Sequence, residues 1–227
     1  MRTDITPCIR THHAVPGHTG RVHALAAVPL SDGRVWLASA GEDRTVLLWD
    51  PETGQPAGSP LSRRAGDVHA LAAVPLSDGR VWLAYAGGGG VRLWNPETGR
   101  SLPPFLTRDT GGVRALAAVP RPDGPALLAT VAENGRVRLW NPETGRSVGS
   151  PAAEHITEHG GWAVGLAALP LPDGRVRLAS LDRNGAVRLW DLDTGQPVGP
   201  PPAGHGGWGV GLAALPLPDG RVRLASL

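Results

Sequence analysis

The sequence predicts an all-β fold made of tandem copies of one small antiparallel sheet, and three regularities predict it. Trp49, Trp94, Trp140 and Trp190 recur at separations of 45, 46 and 50 residues, each closing an apolar run: TVLLWD, GVRLWN, RVRLWN and AVRLWD. An Asp-Gly pair recurs in step at Asp32, Asp78, Asp123, Asp173 and Asp219. Between these markers lie short β-rich runs bounded by Gly, Pro, Asp and Asn. A helical alternative fails, because Pro or Gly interrupts every candidate window within ~10 residues.

Each unit resolves into four strands, and the first unit shows why. Val22 to Val28 is a first strand that Pro29 ends. Ser31-Asp32-Gly33 is a hairpin turn, since Gly tolerates positive φ at no steric cost, and it leads to a second strand over Arg34 to Ala40. A short loop leads to a third strand, Thr45 to Trp49. The Asp50 to Gly54 turn, with Pro presetting φ, leads to a fourth strand over about Gln55 to Leu61. Later units repeat the plan with little change. Residues 22–38 and 68–84 are identical, and residues 160–181 and 206–227 differ only at Ala163 against Gly209.

Composition narrows the class of protein. The chain holds 32 Gly and 23 Pro, a level that without a period would suggest disorder; with a period it is turn punctuation. Eight Trp stand against one Phe and one Tyr, so Trp does one repeated structural task. The net charge is +2 and every Lys or Arg is an Arg, which is no nucleic-acid footprint. Cys8 is the only cysteine, so no intrachain disulfide forms. No apolar run approaches the ~20 residues that cross a bilayer, and residues 1–10 lack the apolar stretch of a secretory leader. The expectation is a cytoplasmic protein with no nucleic-acid and no membrane partner.

These residues resemble the WD-repeat family, whose signature is a Gly-His pair, two strands and then Trp-Asp at a period of ~40–45 residues. Gly-His stands at Gly17-His18 and Gly204-His205, with His alone at Glu158-His159. Trp-Asp stands at Trp49-Asp50 and Trp190-Asp191, and is Trp-Asn at Trp94-Asn95 and Trp140-Asn141. The resemblance covers about Pro16 to Leu227 and implies four-stranded blades set radially around a channel, a β-propeller. It also implies a buried hydrogen-bond network in each blade, joining a His, a second-strand Ser or Thr, a loop Asp and the Trp. Blade one matches it with His18, Ser39, Asp43 and Trp49. Blade four has His159, Ser180 and Trp190, with Asn184 at the Asp position, and blade three has Asp109, Thr130, Asn134 and Trp140. Blade two has Arg64, Tyr85 and a GGGG loop over 87–90 instead, and is expected to be the loosest.

The fold class that follows is a WD-repeat β-propeller of four full blades and a partial fifth, an incomplete or open ring. Residues 1–16 form an N-terminal segment with a candidate outer strand at about 8–15, and 17–227 form the propeller. The blades fall at about 17–62, 63–107, 108–153, 158–202 and, in part, 203–227. Leu227 is the equivalent of Leu181, ahead of any third strand in blade five. Three arrangements fit: further blades downstream, two chains completing each other, or an open arc whose last strand invites self-association through the C-terminal blade.

Motifs that suggest chemistry have plainer explanations. His155-Ile156-Thr157-Glu158-His159 matches the inverted zinc-protease pattern, but that chemistry needs a helix, and Pro151 and Gly160-Gly161 flank the motif. The Gly87–Gly90 run has no Gly-Lys-Ser/Thr after it to hold phosphate. Asp191, Asp193 and Gly195 lack the remaining ligands of a calcium loop. His12 and His13 are taken as solvated, and Arg92, Arg138 and Arg188 as packing their stems beside the Trp. No catalytic, cofactor or metal residues are assigned.

The binding candidates stand where the repeats differ. The loops before the first strand and between the second and third share one end of the propeller. They carry Arg21, Asp67, Trp162 and Trp208, and Glu42, Glu133 and Arg183. Trp and Arg are enriched where binding energy concentrates. The expectation is a non-catalytic scaffold that binds a protein or peptide through these loops. Two alternatives stay open: a propeller hydrolase with a metal in the channel, where His23, His69 and Arg114 are the titratable exceptions on the innermost strands, and a remnant of a longer repeat sensor.

Overall fold

The computed structural model describes residues 17–58, 61, 67–87, 90–102, 112–122, 124–133, 135–148, 163–200, 208–217 and 222–226. Among them there is no helix. Blade one is β1 (Val22–Pro29), β2 (Val35–Gly41) and β3 (Val46–Trp49). Blade two is β4 (Val68–Pro75), β5 (Val81–Gly87) and β6 (Gly90–Trp94). Blade three is β7 (Val113–Val119), β8 (Leu127–Ala132) and β9 (Val137–Trp140). Blade four is β10 (Ala163–Pro170), β11 (Val176–Asp182) and β12 (Val187–Asp191), and blade five pairs β13 (Leu212–Pro216) with β14 (Val222–Ser226). Each sheet is antiparallel in chain order.

The turns explain the regular spacing. In the first hairpin Asp32 Oδ1 accepts from Arg34 N at 3.0 Å while Gly33 sits at φ +85°. After each Trp, the next side chain caps a tight turn. Asp50 Oδ1 accepts from Glu52 N at 2.8 Å and Thr53 N at 3.3 Å. Asn95 Oδ1 accepts the matching pair at 2.9 and 2.8 Å, and Asn141 Oδ1 does so at 2.9 and 3.0 Å. The change from Trp-Asp to Trp-Asn keeps both turn bonds, because an amide oxygen accepts the same two N–H groups, though in blade two it leaves Asn95 Nδ2 buried without a partner among the described residues.

The expected fourth strand is corrected. In blade one the segment 55–61 touches β3 only through bridges, Trp49 with Pro56 and Val46 with Leu61. Pro56 has no N–H for the ladder, and Gly58, at φ +91°, turns the chain away. In the other blades the same segment makes one bridge each, Trp94 with Ser101, Trp140 with Ser147 and Trp190 with Pro197. Four of the described sheets are three-stranded with a bridged fourth segment, and the fifth pairs two strands.

Blades stack face on face. The leading face of blade two, with Val68, Leu71, Leu83, Tyr85 and Trp94, packs on the trailing face of blade one, with Val28, Ala38, Ala40, Val46 and Leu48. The same pairing joins blade three to blade two and blade four to blade three. Blade five seats Leu212, Ala214, Val222 and Leu224 on Ala167, Leu169 and Ala179 of blade four. A polar link reinforces the first two joints. Glu97 accepts from Ser31 N at 2.6 Å, and Glu143 from Ser77 N at 2.7 Å. At the third joint the donor position is Pro122, which has no N–H, and the acceptor position is the shorter Asp193. β1, β4, β7, β10 and β13 stand side by side as innermost strands. They line an axial groove of about 440 Å³ with Ala26, Ala72, Ala117, Ala167 and Ala213 among its walls. Small side chains suit the crowded axis. Among the described residues the ring is not closed.

Candidate functional site

A β-bulge builds the loop end of the axial groove. In each of the first four blades the register of the first two strands skips one residue: between Val22 and Ala24, Val68 and Ala70, Val113 and Ala115, and Ala163 and Gly165. The unpaired residues are His23, His69, Arg114 and Val164. A bulge locally bends the strand and re-aims the extra side chain, and in the first three blades the extra side chains meet in a row. The His23 and His69 rings lie 5.4 Å apart, and Arg114 Nη1 is 3.3 Å from His69 Nε2. Arg114 also donates to Glu133 of its own blade. His23 Nε2 is 3.7 Å from Glu42. The strand pattern hides this row, because a bulge shifts register without changing composition. The signal open to a sequence reading is that His, His and Arg occupy a position that Val fills in blade four.

Burial sets the electrostatics of the row. Desolvation holds His69 below the ordinary imidazole range; the positive charge of Arg114 and the neighbouring His23 add to this, against Asp67 and Glu133. His69 is then a neutral ring whose Nε2 accepts from Arg114 N–H.

Of the residues picked from sequence, Glu42 and Glu133 reach this row. Arg21 and Glu42 are exposed and tied to each other: Glu42 N donates to Arg21 O at 3.0 Å, and Arg21 N to Glu42 Oε2 at 3.4 Å. Asp67 is exposed and reaches Arg44 of blade one, with Nε to Oδ1 at 3.4 Å. Glu133 holds Arg114. Arg183 lies over the Trp208 ring, 5.6 Å from its centroid. Trp208 is 81 % exposed, so it does not pack between blades. Trp162 lies outside the described residues. The structure thus brings Glu42 and Glu133 to the bulge row and sets Arg183 with Trp208 on the side of blades four and five.

Beneath the row, blade one carries a complete hydrogen-bond relay. Trp49 Nε1 donates to Ser39 Oγ at 2.7 Å, and Ser39 Oγ meets His18 Nε2 at 2.7 Å. His18 Nδ1 faces Asp43 Oδ2 at 2.9 Å. Since the Ser39 oxygen accepts from Trp49, its own hydrogen can pass to His18 Nε2, and His18 Nδ1–H then donates to the carboxylate. Thr45 Oγ1 and Thr19 N also donate to Asp43, at 2.8 and 2.9 Å. Desolvation works against the Asp43 charge, but the bonds from His18, Thr45 and Thr19 outweigh it and hold the carboxyl at about 2. Blades three and four keep the Trp end: Trp140 Nε1 donates to Thr130 Oγ1 at 3.0 Å, and Trp190 Nε1 to Ser180 Oγ at 2.7 Å. His159, Asp109, Asn134 and Arg64 lie outside the described residues. Asn184, at the Asp position of blade four, does not cap the loop with its side chain. The cap comes from Asp182, whose Oδ1 accepts from Asn184 N and Ala186 N, both at 2.9 Å. Blade two has Tyr85 in place of the hydroxyl, buried and with its phenol pushed up by desolvation.

A family model described as WD domain, G-beta repeat, matches residues 7–50. Residues 7–50 are thus similar to one WD repeat, and the all-β sheets among the described residues are consistent with a WD-repeat fold. No curated protein matches the chain. WD repeats generally act as scaffolds for protein–protein interaction.

Chemistry at the groove is limited by its walls. The innermost strands present Ala and Leu to the axial groove. Among the described residues no three His, Cys, Asp or Glu side chains converge as a metal site would require. The motif at residues 155–159, His12, His13 and Cys8 lie outside the described residues. Arg138 and Arg188 are half-buried, their Nε atoms buried without a partner among the described residues, while their stems line the strand. No described helix is long and apolar enough to cross a membrane.

Proposed function

We propose that this chain is a non-catalytic scaffold that docks a protein or peptide across the loop end of the arc, at the bulge row. One observation carries the reading: the bulge brings His23, His69 and Arg114 side by side at the start of the innermost strands, on a repeated framework whose groove-lining residues are apolar. The rim is graded. Over blades one to three it offers polar groups already held in place by Glu42, Asp67 and Glu133, so little side-chain entropy is lost on binding. Over blades four and five it offers an exposed apolar anchor, Trp208 with Val210, beneath the Arg183 guanidinium. A peptide with an apolar side chain next to a carboxylate fits that half, the ring taking the side chain and Arg183 the carboxylate. Arg21 extends the polar half, and Trp162 is the blade-four counterpart of Trp208 in sequence.

The test is selection of a displayed random-peptide library on the immobilised full chain. Selected peptides are then titrated against wild type, Arg114→Ala, Trp208→Ala and Glu52→Ala, the last exposed at the opposite end. The expected result is a loss of about tenfold or more for the first two substitutions and none for the third, with unchanged thermal melts. Peptides that bind all four proteins alike would refute the site.

A further inference from the structure

Every joint in the arc buries the same two faces. The inner-strand leucine of each leading face, Leu71, Leu116 or Leu166, seats on the blade before it and is 8, 7 or 6 % exposed. Among the described residues no blade lies against the same leading face of blade one. Its equivalent leucine, Leu25, is 61 % exposed. Val22, whose counterparts Val68 and Val113 are fully buried, is 47 % exposed. At the other end, the trailing face of blade five is open: Leu215, the counterpart of the buried Leu169, is 49 % exposed, and Ala213 and Ala225 beside it are exposed.

We propose that the leading face of blade one docks on the trailing face of blade five of a second copy of this chain. The contact is continuous with an interface the chain already makes. Leu212 and Leu224 seat blade five on Leu169 of blade four. Their equivalents in blade one are Leu25 and Leu37, the same residues. The surface they seat on is also duplicated, since 206–227 repeats 160–181 with one change, Ala163 to Gly209, at a position on the leading face. The described residues therefore carry both halves of one blade joint, each exposed among them. Such a contact is heterologous: it closes into a ring if the rotation allows and otherwise grows head to tail. It uses neither the bulge row nor Trp208, so it stands or falls apart from the binding reading above.

The experiment is light scattering of the full chain over a range of concentrations, with Leu25→Asp, Leu215→Asp and their equimolar mixture. The wild-type mass is expected to rise above monomer with concentration. Each variant alone stays monomeric, its association weakened by about thirtyfold or more. The mixture forms a dimer and stops there, because only one pair of intact faces remains between two chains. Both side chains are exposed, so thermal melts should match wild type; the pair Leu25→Ser and Leu215→Ser replaces the Asp pair if they do not. A wild type that is monomeric throughout overturns the proposal. So does a mixture that stays monomeric, or association that Leu25→Asp abolishes and Leu215→Asp leaves intact, which would mean that leading faces pair with each other.

Discussion

Replacing Ser39 by Ala removes the one atom that joins both halves of the blade-one relay. The Ser39 hydroxyl is 4 % exposed and lies 2.7 Å from both Trp49 Nε1 and His18 Nε2. Without it the indole N–H loses its acceptor and the imidazole loses its partner. A buried polar group left unsatisfied costs roughly 1–3 kcal/mol. The two losses do not add fully. Trp49 is only half-buried and can recover some hydration, whereas the His18 side chain is 5 % exposed and cannot. The expected loss is about 2 kcal/mol, or roughly 4–8 °C in Tm for a chain of this size. Ser39→Thr is the matched control, because blade three uses Thr130 to accept from Trp140 at 3.0 Å. It should cost less than about 1 kcal/mol. Urea denaturation followed by Trp fluorescence measures both. If Ser39→Ala and Ser39→Thr fall together within about 0.5 kcal/mol of wild type, the relay does not hold blade one, and the reasoning fails.

Other outcomes follow from the same geometry. Asp43 is held at about 2 against a usual value of 3.8, so the stability it contributes is present above pH ~4 and lost as pH falls through about 2; at 10 % side-chain exposure this amounts to roughly 2 kcal/mol, and Asp43→Asn should flatten that part of an acid titration. His69 is depressed, chiefly by desolvation, so its contribution is present above the ordinary imidazole pKa of about 6.5 and falls as pH drops below it; His69→Gln should narrow the difference between melts at mildly acid and neutral pH, and an unchanged difference would exclude His69 as its source. Gly41→Ala would drive a methyl into the Arg21 carbonyl oxygen, which also accepts from Glu42 N, so a loss of about 2 kcal/mol or more is expected in the urea midpoint. Gly33→Ala meets no neighbour and bears only the strain of φ +85°, about 1 kcal/mol.

The strands and turns were legible because their causes are local. Pro29 and Asp32-Gly33 end one strand and start the next whatever surrounds them, and Trp49 marks the third by spacing alone. Ser39 and Asp43 could be placed because the resemblance to WD repeats implies which positions join the Trp. What stayed hidden depends on register or on distant partners. The bulge at His23, His69 and Arg114 inserts one residue without altering the apolar pattern, so a site row looks like ordinary strand. The link from Glu97 to Ser31 N spans 66 residues. In blade four the loop cap moved two places, from the Asn184 position to Asp182, which a column-by-column reading misses. The fourth strand was overestimated because bridging β3 at one or two points needs the same residue types as pairing along it.

Hydrogen exchange of the full chain, with and without a library-selected peptide, tests the binding account most directly. The account predicts slowed exchange at the loop end, over Arg21 to Val22, Glu42 to Arg44, Glu133 and Trp208 to Gly211, with the Asp-Gly turns at Asp32, Asp78 and Asp173 unchanged. Protection confined to those turns, or spread evenly over the blades, would contradict it.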